Sequence, residues 1–269
     1  APPVRIAALR GIAAVSPGAA PPLLRDALQA DSATLRAAAI TLLGGLPEGS
    51  AILAAEFPKL DAAAQVRVLA ALEGRADEPS RRAVLEGLKS GNIEVRMAAL
   101  RALGASDDAS AVGLLAATAA TAGGDEQRLA RESLYALRGR AADEAVVAGL
   151  RASDPKVRAE MIRAAGERAI PGAGPALLDQ AGDASAEVRR ESLRALREVA
   201  GDKEIPRLIE LLASLQSAAD RREAERSLMA AVRKSPVSWR ARLEQAFRAS
   251  PSADVRGSLL QVLAVSGRE

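Results

Sequence analysis

The chain has 269 residues, of which 49% are hydrophobic but only 1% aromatic, so alanine and leucine carry the apolar content and favour many thin helical layers over one thick core. Its 37 basic and 34 acidic residues nearly balance, which argues against a nucleic-acid module with a basic stripe. There is no cysteine and no histidine, which excludes disulfides, thiolate metal sites and cysteine nucleophiles, and removes the usual general base and the commonest metal ligand.

Along the chain a Val-Arg or Leu-Arg pair recurs: Val4-Arg5, Leu35-Arg36, Val66-Arg67, Val95-Arg96, Val157-Arg158, Val188-Arg189 and Val255-Arg256. Related segments anchored at Leu129 and near Glu223 fill the two gaps, so units start near 4, 35, 66, 95, 129, 157, 188, 223 and 255. That spacing suits one helical hairpin with its turns. Five residues past the anchors stand Leu9, Ile40, Leu100, Leu134, Ile162, Leu193, Leu228 and Leu260, often followed one turn later by another leucine, which traces one apolar helix face. The third unit, around Val66-Leu69-Leu72, fits poorly, and its register could slip by two residues. Just before the anchors stand helix-start residues: Asp31, Asp61, Asn92, Asp125, Asp154, Ser185, Asp220 and Ser252. These open the A helices.

Between them the sequence predicts B helices over 22–29, 50–57, 80–89, 109–120, 143–151, 175–181, 203–215 and 236–248, with turn signals such as Pro17-Gly18, Pro171-Gly172 and Ser235-Pro236 ahead of them. No strand-like alternation is present. No segment reaches the roughly 18 consecutive apolar residues of a membrane span. The fold class is all-α, a right-handed α-α superhelix of about nine hairpins in a single array over 1–269. The chain begins at Ala1 without methionine, inside an A helix, and stops near Glu269 after another. A terminal hairpin normally needs a polar cap, so a longer parent protein is expected.

Segments such as NIEVRMAALRALG, DPKVRAEMIRAAG and SAEVRRESLRALREVAGDKEIPRLIELLAS resemble HEAT repeats of the short, phycobilisome-lyase-like type. The resemblance covers essentially the whole chain. It implies a scaffold whose B helices line a concave binding face, and arginines after the valine that tie neighbouring repeats together through loop aspartates. The last third is also similar to HEAT regions of large exported bacterial proteins, where the array sits beside domains that act on sugars or carry haem. Di-iron hydroxylases of this fold need paired His-Glu motifs, which a chain without histidine lacks. HEAT-like DNA glycosylases use a pocket of several aromatics, which Trp239 and Tyr135, far apart in sequence, match poorly.

The arginines Arg5, Arg36, Arg67, Arg96, Arg158, Arg189 and Arg256 recur in unit after unit, which suits a structural ladder better than a local anion site. Glu132, Glu160 and Glu191 lie beside Arg131, Arg158, Arg189 and Arg190, and read as interleaved ion pairs rather than an acid–base pair. Trp239, Leu243 and Phe247 share one helix face, either an aromatic contact patch or core packing, with packing the better reading. Tyr135 falls in a column otherwise holding Arg10, Arg101, Arg163 and Arg194, which marks it as an exposed contact candidate. Residues 216–269 hold ten Lys/Arg against six Asp/Glu, with Arg240, Arg242 and Arg248 among the candidate binding groups. The expected function is a non-catalytic interaction scaffold for a protein partner or a flanking domain. It would use no cofactor and no metal. Polyanion binding by the basic C-terminal half, and an accessory region of a carbohydrate-active or redox enzyme, are the alternatives.

Overall fold

The computed structural model describes residues 2–266, and among them every regular element is helical. In chain order the helices alternate between an A layer and a B layer. The first five A helices, α1 (Pro2–Val15), α3 (Ala33–Gly44), α5 (Ala62–Ala71), α7 (Ile93–Gly104) and α9 (Gly124–Ala136), alternate with α2 (Ala20–Leu28), α4 (Gly49–Glu56), α6 (Glu78–Leu88) and α8 (Ala111–Thr121). After α10 (Arg140–Gly149) the alternation continues through α11 (Pro155–Glu167), α12 (Gly174–Gln180), α13 (Ala186–Val199), α14 (Ile205–Ser214), α15 (Ala218–Lys234), α16 (Arg240–Ala249) and α17 (Ala253–Ser266). The chain packs as two compact units, Ala1–Ala142 and Asp143–Glu269. The expected ends at Ala1 and Glu269 lie outside the described residues.

Helix starts follow the capping chemistry of the sequence, with shifts. Asp61, Asn92, Asp154 and Ser185 accept backbone N–H groups of their first turns. Ser32 and Ser217 cap in place of Asp31 and Asp220, and Gly123 stands at the start of α9 in place of Asp125. Asp220 is instead turned inward and buried. Pro155 and Pro175 sit in first turns, where a missing N–H costs nothing. In the last B helix the first four expected residues, 236–239, precede the helix, and Trp239 is its N-cap.

The core of each unit is a file of leucine-rich seams. Leu35, Ile40 and Leu43 are buried on α3, Leu100 and Leu103 on α7, and Leu134 on α9. In the second unit Ile162, Leu193, Leu196 and Leu228 play the same part against Leu177, Leu208 and Leu212 of the B layer. Each such side chain contributes about 1.5–3 kcal/mol by leaving water.

Within each unit successive A helices pack closely along one another, whereas successive B helices touch little, apart from α4 on α6. Small residues permit this. A Cβ on Gly104 would lie 2.7 Å from the Ser133 Cβ, and one on Gly166 would lie 2.9 Å from the Ala195 Cα. The tightest packing between neighbouring hairpins therefore lies in the A layer of each unit.

Asp77 joins three elements of the first unit. It caps α6 by accepting the Ser80 N–H at 2.9 Å and the Ser80 hydroxyl at 2.8 Å. It also accepts Arg75 Nε at 3.1 Å, while Arg75 Nη1 donates to the Gly44 carbonyl at 2.7 Å. Burial pushes the Asp77 carboxyl up, but the Ser80 donors, Arg75 and Ser50 outweigh it and hold it down at about 2, against an ordinary 3.8. A depressed folded value means the carboxylate stabilises the fold above the unfolded value and loses that effect as pH falls from about 3.8 to about 2. Asp77→Asn keeps a capping oxygen but not the charge. Its urea midpoint is expected to fall below that of the parent at pH 5 and to converge with it at pH 2; a gap that persists at pH 2 would contradict this role.

Candidate interaction surface on the A layer

The arginine ladder is made by the fourth residue after each A-helix start. Arg36 donates to the carbonyls of Ala30 and Asp31 and reaches Asp61 of the next unit at 2.8 Å. Arg96 donates to Ser90 and Gly91 carbonyls and forks onto Glu126 at 2.7 and 2.9 Å. That fork holds the Glu126 carboxyl below its ordinary range. Arg158 bonds the Ala152 carbonyl and Asp183, and Arg189 bonds the Asp183 and Ala184 carbonyls and Asp220. Arg221 repeats the pattern onto Leu215, Gln216 and Asp254, and Arg256 onto Ser250 and Pro251. Every rung thus ties its own helix start to the preceding turn, and all but Arg256 also reach a carboxylate further along the chain.

Three anchors move. Gln65, two residues before Arg67, holds the ladder position of the third unit and donates to the Phe57 carbonyl. Gln127 does the same in the fifth unit, onto Ala119. In the eighth unit the anchor is Asp220-Arg221 rather than Glu223. Arg67 is exposed, outside the ladder, because the Val66-Arg67 pair is out of phase with its helix start. Arg5 lies on α1, likewise exposed and without a ladder bond among the described residues.

With this register the outward face of the A layer differs between the units. In the second unit the same position on α11, α13 and α15 carries Glu160, Glu191 and Glu223, and one turn on stand Arg163, Arg194 and Arg226. Glu160 is buried at 3% exposure. Arg163 meets Glu160 at 2.6 Å, Glu187 at 2.8 Å and Glu191 at 3.3 Å. Burial disfavours the Arg163 charge, but Glu187, Glu160 and Glu191 more than compensate and push its pKa up. Arg194 pairs with Glu191 at 2.9 Å and Arg226 with Glu223 at 2.9 Å. Each of these three carboxylates thus has an arginine partner one turn on. Glu132 falls in a different column, that of Arg101, and pairs with Arg128 at 3.0 Å.

In the first unit the corresponding faces of α3 and α5 carry Ala37, Ala38, Thr41, Ala70 and Ala71. They leave a shallow groove of about 400 Å³ lined by Ile6, Arg10, Thr34, Ala37, Thr41 and Arg67. A second groove of about 360 Å³ shares Ala37, Thr41 and Arg67 with it, so the two are one furrow across three helices. A third, of about 400 Å³ on α7 and α9, is lined by Arg101 and Arg138 together with Glu73 and Glu132.

The other candidate residues are placed as follows. Tyr135 is half-buried and, in the corrected register, shares the column of Gly104 rather than that of Arg101. Trp239 is half-buried and its indole donates to the Ser235 hydroxyl at 2.9 Å, Leu243 is fully buried, and Phe247 is half-buried. Arg240 and Arg248 both pair with Glu244, at 3.0 and 3.4 Å, and Arg242 stands 3.9 Å from Glu210. The basic residues singled out near the C-terminus are thus largely met by local carboxylates. The furrow beside Arg10 and Arg67 was missed because it depends on register, and the signal for it was the run of alanines facing those arginines.

Among the described residues no group of three or more Asp or Glu is placed to hold a metal ion, and no helix is long and apolar enough to cross a membrane.

Two layers of antiparallel hairpins stacked in file, braced by a half-buried arginine ladder, define an α-solenoid. Residues 144–229 match the family model for HEAT repeats. A solved structure of a Kap121p mutant is 13% identical and aligns over 99% of this chain and 36% of that one, with a TM-score of 0.61. Kap121p itself is 14% identical over 99% and 36% of the two chains, with a TM-score of 0.57. This chain therefore spans just over a third of Kap121p, and at such identity the likeness speaks to fold alone. Human deoxyhypusine hydroxylase is 20% identical over 92% of this chain and 96% of that one, but its TM-score of 0.39 is too low for a comparison of sites. No curated protein gives a significant match. The fold is that of HEAT-repeat solenoids.

Proposed function

We propose that this chain is a non-catalytic scaffold that holds a partner protein, or a neighbouring domain of its own polypeptide, on its A-layer face. The observation that carries this reading is the division of labour among its charged groups. The Arg158 and Arg189 rungs are engaged in bracing the stack, and Glu160 and Glu191 are engaged in ion pairs with Arg163 and Arg194. What stays open on the first unit is a shallow, small-residue surface across α1, α3 and α5, which suits recognition spread over several contacts.

Photo-crosslinking amino acids placed singly at Thr41 and Arg194 on the A layer, and at Arg82 and Leu114 on the B layer, test the face. In a lysate of the source cells, discrete adducts are expected from the A-layer positions. Adducts only from Arg82 and Leu114, or from none of the four, would sink the assignment.

A further inference from the structure

We infer that the furrow between α1, α3 and α5 is an acidic-segment dock: Arg10 and Arg67 receive carboxylate side chains of a partner protein whose backbone lies over the alanine floor. The inference rests on the scaffold reading and names the chemistry of what is held. Arg10 and Arg67 are both exposed and line the same groove. Neither has a hydrogen-bond or ion-pair partner among the described residues, whereas Arg163, Arg194 and Arg226 of the second unit each have a carboxylate. No acidic residue lines either part of this furrow. Two cations over a floor without compensating charge form a surface whose complement is negative.

The arrangement favours a protein over a nucleic acid. A phosphate backbone needs a continuous basic track. Here the positive pair is isolated: the next groove along the A layer brings Glu73 and Glu132 beside Arg101. Residues 1–124 hold 12 residues of each sign. Planar guanidinium forks suit single carboxylates, and the alanines allow a segment to approach the helix backbones closely.

The test uses the full chain and three probes: a fluorescent Glu-Ala repeat peptide, its Gln-Ala counterpart, and single-stranded oligothymidylate of matching charge. The Glu-Ala peptide is expected to bind and the Gln-Ala peptide not to. Arg10→Glu with Arg67→Glu should weaken binding about tenfold, the scale of two reversed exposed charges, while Arg222→Glu with Arg233→Glu should change it less than about twofold. Equal losses in both double variants, or no binding by the parent, would overturn the dock. Tighter oligothymidylate binding with the same dependence on Arg10 and Arg67 would overturn it in favour of a nucleic-acid groove. If A-layer crosslinks persist unchanged in Arg10→Glu/Arg67→Glu, the dock fails and the scaffold stands. If peptide binding behaves as stated but no A-layer position crosslinks, the scaffold reading is the one that fails.

Discussion

Replacing Gly104 by alanine should destabilise the first unit by about 1–3 kcal/mol, although alanine is the better helix former. Gly104 ends α7, where α9 crosses closest. An added Cβ would stand 2.7 Å from the Ser133 Cβ and 2.8 Å from the Ser133 Cα, and backbone cannot swing aside as a long side chain can. Gly113, inside α8, has nothing within 4 Å of the same position. There the change to alanine should stabilise by roughly 0.5–1 kcal/mol, because glycine costs backbone entropy in a helix. Urea unfolding of both variants decides the matter. Two shifts of the same sign would show that helix propensity, and not contact between A helices, governs the site.

Arg158→Ala should cost about 2 kcal/mol, since it removes hydrogen bonds from a charged donor and strands partly buried acceptors. The Arg158 side chain is only 14% exposed, and Asp183, its partner at 2.9 Å, is 19% exposed. Asp183→Asn should cost less, because Arg158 keeps the Ala152 carbonyl. The double variant should cost less than the sum of the two by about 0.5–1 kcal/mol, as groups sharing one network do not add. Additive losses would show that the rung acts as two separate contacts rather than as a brace between turns.

Much of the fold was written in the sequence because the physical signals repeat. Asn92, Asp154 and Ser185 each precede an apolar helix face by a fixed interval, and several copies of a weak signal make a strong one. Register failed where a rung changed identity. Gln65 and Gln127 make a single carbonyl bond in place of the arginine's several, and the nearby Val66-Arg67 pair imitates a true anchor. At the eighth unit the apolar anchor is replaced by Asp220, a charged residue buried at 2% exposure because Arg189 meets it. Nothing local in the sequence marks such a residue as internal.

The candidate surface was harder to read than the fold. Whether an arginine is free depends on what the adjoining hairpin presents to it. Arg10 and Arg163 both stand one turn beyond the outward position of their helices. One faces alanines and threonine across the furrow, and the other faces three carboxylates. A shift of register by two or three residues exchanges these environments, and such a shift moves Tyr135 out of the column of Arg10, Arg101, Arg163 and Arg194.

The scarcity of rings has a spectroscopic consequence. Trp239 is the sole tryptophan, fixed at the start of α16 by its bond to Ser235, so indole emission observes one hairpin of Asp143–Glu269 and is blind to Ala1–Ala142. An unfolding trace followed at that wavelength would record a single local event. Melting of the N-terminal half, with its lone Tyr135, would pass unseen unless circular dichroism were recorded alongside.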